Sequence, residues 1–217
     1  MARPKNQAER RRQLVQAATD AILQQGASNA RLSDIAQEAG LTPASVLYYY
    51  PDIKELFIAA FERSYRTYCA SRESYVEQAD GDGDKLAACI RSGMPCSGLS
   101  EKVGRVLYEL MPVALRHDGA AELYRDCIAR QVSLYQDILE RGQTTNGWTL
   151  AAPADVLAKS FVALEDGYGF EVLIGGMTSD DAEQALFLHA ESITGVDGNG
   201  WNPAEHGHTA TDMHGSA

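Results

Sequence analysis

Apolar residues along this chain recur at intervals of three and four, and runs alternating apolar with polar are missing, so the pattern predicts helices throughout. A first helix over 7–25 gathers Leu14, Ala17, Ala18, Ala21 and Ile22 on one side and stops at Gly26. Two short helices follow over 33–39 and 43–50. A long one over 52–77 carries Leu56, Phe57, Ala60 and Phe61 on its apolar side. The stretch ADGDGD (79–84) reads as a loop. Further helices are expected over 85–92, 101–117 and 119–141. TTNGWTLAAP (144–153) is a linker that turns at Asn146-Gly147, and last helices cover 154–175 and 179–194. From 196 on, Gly, polar residues and His predominate, the composition of a disordered tail. The expected fold is all-α, with about nine helices and no internal repeat.

The 217 residues suffice for one or two domains with a sizeable core. No apolar run is long enough to span a bilayer, and MARPKNQAERRRQ lacks the apolar centre of a signal peptide, so a cytoplasmic location without membrane attachment is expected. Cys69, Cys89, Cys96 and Cys127 are widely spaced and form no CxxC pair, so reduced, structural thiols are expected. The net charge of −11 is unevenly spread. Residues 1–55 hold seven Lys and Arg (Arg3, Lys5, Arg10, Arg11, Arg12, Arg31, Lys54) against six acids, so the acidity belongs to the remainder. A small amino-terminal part thus tolerates a polyanion and a larger acidic part does not.

The strongest local signal is RLSDIAQEAGLTPASVLYYY (31–50). Ala36 is small where two short helices must approach, and Gly40 can take the positive φ of a tight turn. Ile35 and Val46 can pack between the helices. Thr42 is a good N-cap, with Pro43 at the first helical position. This is a helix-turn-helix pattern, whose second helix enters the major groove of DNA.

The segment resembles the DNA-binding domain of TetR-family transcriptional regulators, whose usual run is close to IAxxAGVSxGxLYxHFxxKExL. Here it stands as IAQEAGLT (35–42), PASVLYYY (43–50) and PDIKELF (51–57), inside a match over about 10–62. It departs at Leu47, Tyr49 and Tyr50, where tyrosine, histidine and phenylalanine are usual. Ile53 fills the common lysine slot with Lys54 one place later, and Arg31 replaces a frequent hydroxyl residue. The resemblance implies a three-helix DNA-binding domain over 1–52, a helical ligand-binding and dimerisation domain over 53–195, and the tail over 196–217. It implies that Tyr50 is core, that Tyr49 meets a phosphate, and that Tyr48 reaches base edges or sugar. Groove contacts then fall to Pro43, Ala44, Ser45 and Tyr48, and phosphate contacts to Arg31, Ser33, Thr42, Tyr49 and Lys54. An arm with Arg3 and Lys5 follows the DNA or is a solvated tail.

In the larger part, Leu157, Phe161, Leu164 and Tyr168 form one apolar stripe, and Val156, Ala163, Phe170 and Ile174 another. Ala182, Leu186, His189 and Ile193 line the last helix. The resemblance implies a homodimeric four-helix bundle, with Leu157, Leu164, Tyr168, Ala182, Leu186, His189 and Ile193 at the interface, reading a palindromic operator on double-stranded DNA. A small-molecule effector pocket is expected among Tyr108, Met111, His117, Tyr124, Ile128, Gln131, Phe161, Glu165 and Phe170, suited to an apolar ligand with one or two polar handles. Core positions remain the alternative for each; for His117 it is a helix C-cap, and for Glu165 and Asp166 a place on the dimer rim. His206, His208 and His214 lack a ligand framework, so no metal or cofactor is expected. With neither a nucleophile–base pair nor a phosphate loop evident, an enzyme is not expected. The reading is a ligand-released homodimeric repressor; the alternative is a DNA-binding regulator controlled by a protein partner.

Overall fold

The computed structural model of the chain describes residues 4–96 and 98–196, with side chains from residue 7 onward. Arg3, the Lys5 side chain, His206, His208, His214 and nearly all of the expected tail lie outside these residues. Among the described residues there are nine helices and no strand: α1 (Pro4–Gln25), α2 (Leu32–Glu38), α3 (Pro43–Tyr49), α4 (Ile53–Gln78), α5 (Asp82–Gly93), α6 (Leu99–Ala114), α7 (Asp118–Thr145), α8 (Ala154–Leu173) and α9 (Ser179–Thr194). None is long and apolar enough to cross a membrane.

Two boundaries differ physically from the sequence reading. The loop after α4 is shorter than ADGDGD, because Asp82 opens α5 and is buried. Its Oδ2 accepts from the Thr145 hydroxyl at 2.6 Å and from the Asn146 amide at 2.9 Å, and Arg141 lies 3.2 Å from Oδ1. Polar Asp–Gly composition signals a loop only while its carboxylates stay in water; these partners take Asp82 out of it. The linker after α7 is also fastened. Trp148 is buried, and the N–H groups of Thr149 and Ala151 donate to the carbonyls of Thr194 and Ile193 at the end of α9.

Two apolar clusters organise the helices. The first joins Leu14, Ala18 and Ile22 of α1, Ile35 and Ala36 of α2, Val46 of α3 and Tyr50 to Leu56, Phe57, Ala60 and Phe61 of α4. It continues into Val106 and Leu110 of α6 and Cys127 of α7. The second gathers Leu86 and Ile90 of α5, Tyr135 and Leu139 of α7, Phe161 of α8 and Leu186 of α9 around Val76 of α4. The long α4 therefore starts in one cluster and ends in the other. A further tie runs from α6 to the first helices: Glu109 Oε2 accepts the Ala27 N–H at 2.9 Å, just past Gly26, whose φ of +81° turns the chain out of α1.

Trp148 lies flat against α7 where Gly142 leaves room; a Cβ there would come within 2.1 Å of the indole. The Gly142→Ala variant is expected to lose about 1–3 kcal/mol of unfolding free energy in urea, because a buried ring cannot move aside as a flexible chain end can.

Candidate functional site: a reading helix and an acid-lined cleft

The α2–α3 unit is held by short-range chemistry. Ala39 and Gly40 end α2, and Gly40, at φ +63°, reverses the chain so that the Leu41 N–H donates back to the Ala36 carbonyl at 2.8 Å. Thr42 caps α3, its Oγ1 accepting from the Ser45 N–H at 3.2 Å, and Pro43 occupies the first turn. Ile35, Ala36 and Val46 are fully buried between the helices, as their spacing predicts. The opposite side of α3 is open: Pro43, Ala44 and Tyr48 are exposed, and Ser45 is half-buried. Tyr48 is 72% exposed, its ring 5.1 Å from that of half-buried Tyr49 in an edge-to-face pair. Tyr50 is buried under the Arg11 guanidinium, which sits 5.0 Å from the ring centre.

The remaining expected phosphate contacts surround this face. Arg31 and Ser33 are exposed at the start of α2, where Asp34 receives both the Arg31 N–H and the Ser33 hydroxyl. At the start of α4, Ile53 packs onto the first cluster while Lys54 is exposed, so the residue in the usual lysine slot faces inward and its neighbour faces water.

A narrow cleft opens in the larger part between α4, α6, α7 and α8, with a cavity volume of about 60 Å³. Six expected pocket residues line it: Tyr108, Met111, Tyr124, Ile128, Gln131 and Glu165. Three do not. Phe161 is fully buried in the second cluster, stacked 4.5 Å from Tyr135 and edge-on to His189. His117 precedes α7, 3.7 Å from Glu55, rather than capping the C-terminus of α6. Phe170 is 49% exposed on the far side of Tyr108. Helical periodicity marks a face as apolar without telling whether it meets a cavity, a core or water.

The sequence reading missed Phe61, Tyr68, Cys127 and Asp166, all of which line the cleft. Asp166 carries the most information. It is half-buried, and the Tyr124 hydroxyl donates to its Oδ2 only at 3.4 Å. Burial, and then the neighbouring Glu165 carboxylate, push its pKa up to about 6. Burial likewise pushes Tyr124 up to about 12, so it remains a neutral donor. The Tyr108 hydroxyl donates to the Asp166 carbonyl at 2.7 Å, an approach that bare Gly169 permits, since a Cβ there would lie 2.9 Å from that hydroxyl. An acid next to Glu165 in an otherwise apolar stretch was the available signal.

Behind the cleft wall sits an ion pair. Arg72 of α4 and Glu165 of α8 have side chains 1% and 2% exposed. Their contact is bidentate, with Nη1–Oε2 and Nη2–Oε1 both at 2.8 Å. Arg72 also donates to the Tyr68 hydroxyl at 2.8 Å, Gln131 Oε1 at 2.6 Å and the Cys89 carbonyl at 2.9 Å, and the Tyr135 hydroxyl donates to Glu165. Burial pushes the Glu165 carboxyl up, while the guanidinium pulls it back toward ionisation. Glu165 is thus not on a rim. The cysteines are free; Cys69 and Cys127 approach to 3.9 Å between sulfurs without bonding. No group of three or more His, Cys, Asp or Glu placed to hold a metal occurs among the described residues.

The expected interface residues also divide. Leu157, Ala182, Leu186 and Ile193 are buried in the chain's own second cluster and so are not open to a partner. Leu164 and Tyr168 pack partly against it, and half-buried His189 faces the Ser160 hydroxyl at 2.9 Å, its pKa lowered by burial. The open apolar face of α8 is the other stripe: Val156, Ala163, Phe170 and Ile174 are exposed, with Leu188 on α9.

A capped helix-turn-helix whose second helix is open on one side, packed onto further helices through one shared cluster, defines a helix-turn-helix DNA-binding protein. The family model for bacterial regulatory proteins of the tetR family matches residues 14–60. The HTH-type transcriptional regulator BetI of Brucella suis biovar 1 (strain 1330) is 25% identical over 184 residues, covering 85% of this chain and 89% of the relative. A transcriptional regulator from Saccharomonospora viridis, solved in complex with choline, superposes with a TM-score of 0.78 at 26% identity, covering 85% of this chain and 96% of the other. A TetR transcription regulator from Haloarcula marismortui ATCC 43049 shares the fold, with a TM-score of 0.76 at 18% identity over 86% and 98% of the two chains. The family match in the helix-turn-helix and these likenesses over most of the chain support a TetR-family transcriptional regulator.

Proposed function

We propose that the chain is a homodimeric, effector-released repressor with a DNA-reading domain over 1–52 and a sensing and dimerising domain over 53–195, and that its effector is a small organic cation of the quaternary-ammonium class. The observation that carries the reading concerns one helix: α4 begins beneath the reading helix at the Asp52 cap and walls an aromatic, acid-lined cleft with Phe61 and Tyr68. Pro43, Ala44, Ser45 and Tyr48 take the groove, with Arg31, Ser33, Thr42, Tyr49 and Lys54 on phosphates. Lys54 supplies the charge that Ile53 cannot.

The cation follows from charge and surface. Arg72 and Glu165 cancel, which leaves the Asp166 carboxylate as the unbalanced charge beside the Phe61, Tyr68, Tyr108 and Tyr124 rings. Aromatic faces and a carboxylate together favour a cation that has little hydration to lose. The apolar ligand expected from sequence becomes one with a positive head. The neighbour solved with choline supports this choice. The exposed stripe Val156, Ala163, Phe170 and Ile174 along α8, with Leu188 of α9, is the proposed dimer face, since apolar side chains left in water along one helix face mark an interface.

On an operator selected from genomic DNA, anisotropy titration should give salt-dependent binding to a palindromic duplex; none on any duplex would sink the DNA-reading role. Tyr49→Phe should weaken all duplexes about equally, by roughly fivefold for one lost hydrogen bond. Tyr48→Ala should change which sequences are preferred.

Phe170→Glu should leave a folded monomer in light scattering that no longer holds a two-site operator; an intact dimer would move the interface elsewhere.

Choline should bind by calorimetry. Because a proton on Asp166 competes with the cation, affinity is full above the raised pKa of about 6 and falls as pH drops through it, by roughly tenfold at pH 5. Asp166→Asn should abolish binding and its pH dependence. It should also stabilise the free protein at pH 7.5 by on the order of 1 kcal/mol, because an acid whose folded pKa is raised loses stability as pH rises through that value. Failure of choline and related cations to bind would favour control by a protein partner.

A further inference from the structure

Three polar side chains of the cleft wall also hold Arg72. Tyr68, Gln131 and Glu165 line the cleft, and each holds a guanidinium nitrogen at 2.6–2.8 Å. Arg72 itself is sealed behind them, 1% exposed, and its Nε is buried without a hydrogen-bond partner. The guanidinium is therefore held by the wall of a binding site and by the Cys89 carbonyl of α5, in a shell one hydrogen bond short.

We propose that Arg72 is the positioning residue that carries occupancy of the cleft to the DNA-reading helices: a cation bound beside Asp166 draws the Glu165 carboxylate off the Arg72 fork, and α4 shifts with its arginine. The proposal rests on the effector reading above.

Three features support it. The first is charge: Asp166 follows Glu165 in sequence and makes no ion pair among the described residues, so a cation drawn to it also acts on the carboxylate that holds Arg72. A quaternary ammonium has no N–H to replace the guanidinium's hydrogen bonds, so it competes for the carboxylate by charge and bulk alone. The second is confinement. Glu165 is wedged against the end of α5, where a Cβ on Gly93 would lie 2.0 Å from Oε1, so the carboxylate cannot move toward Gly93. The third is leverage. Continuous helix joins Arg72 to Ile53, roughly 28 Å away at 1.5 Å per residue. Leu56, Phe57 and Ala60 at that end are packed among α1, α2 and α3. A buried ion pair is costly to break by halves, so Arg72 cannot keep its place once the carboxylate leaves it.

The test compares the wild type with the double variant Arg72→Met/Glu165→Gln, which removes both charges together and leaves a side-chain amide oxygen to accept from Tyr135. Operator affinity is measured by anisotropy with and without choline, at choline saturating for each protein by calorimetry. In the wild type, choline should weaken operator binding by about 10-fold or more. In the double variant, choline should still bind through Asp166, while its effect on operator affinity falls below about twofold. Release equal to the wild type's would overturn the role of Arg72. If circular dichroism shows the double variant unfolded, Arg72→Lys decides: it keeps the charge but not the fork, and an unchanged choline effect there overturns the proposal equally. A wild type that binds no choline sinks the effector reading instead.

Discussion

The contact on which the arrangement of this protein depends is the buried pair of Arg72 and Glu165. Two charges removed from water cost several kcal/mol each, and only a complete set of partners offsets that. Those partners come from four helices: Tyr68 on α4 itself, Cys89 on α5, Gln131 and Tyr135 on α7, and Glu165 on α8. Apolar packing alone would tolerate α8 sliding along α7, since one leucine contact resembles the next. A bidentate guanidinium–carboxylate contact does not, because half a turn of displacement would leave a charge buried without a partner. The pair thus fixes the register of the cleft's wall while the second cluster supplies most of the burial.

The reading end is built on the opposite principle. Nothing there depends on a buried charge: Thr42 caps, Gly40 turns, and Ile35 and Val46 fill the space between α2 and α3. The surface it offers is short of cations, with Arg31 and Lys54 flanking a face of Pro43, Ala44, Ser45 and Tyr48. A reading face with so few lysines and arginines would show a shallow salt dependence, with hydroxyl donors and groove shape carrying a larger share of recognition. The acidity of the larger part works the same way, since it repels DNA everywhere except at the reading face.

This contrast explains what was legible in the sequence. Caps, turns and helix spacing are local, so the helix-turn-helix and most helix boundaries could be read from neighbours a few residues away, while the burial of Tyr50 followed from the family resemblance. The cleft is made of residues far apart in sequence, so only its more conspicuous members were found. Tyr108, Tyr124 and Gln131 were identified, yet Phe161 was misplaced because an apolar stripe does not say which side of it is hollow. The same ambiguity exchanged the two stripes of α8, with Leu157 inside and Phe170 outside. Arg72 could not be found at all. A lone arginine in a long charged helix looks solvated until its partner, 93 residues away, is placed beside it.

Asp166 then has a physical rationale that neither packing nor register supplies. A half-buried carboxylate whose pKa has risen to about 6 is held at a loss near neutral pH, and its side chain has only a long contact from the Tyr124 hydroxyl to offset that, since Tyr108 bonds to its backbone carbonyl. An uncharged amide there would avoid that loss, so the acid is the feature of the cleft for which the proposed cation supplies a reason. On the effector reading proposed above, a cation beside Asp166 would also face Glu165, which ties the cleft to the pair that fixes the register of α8 against α4.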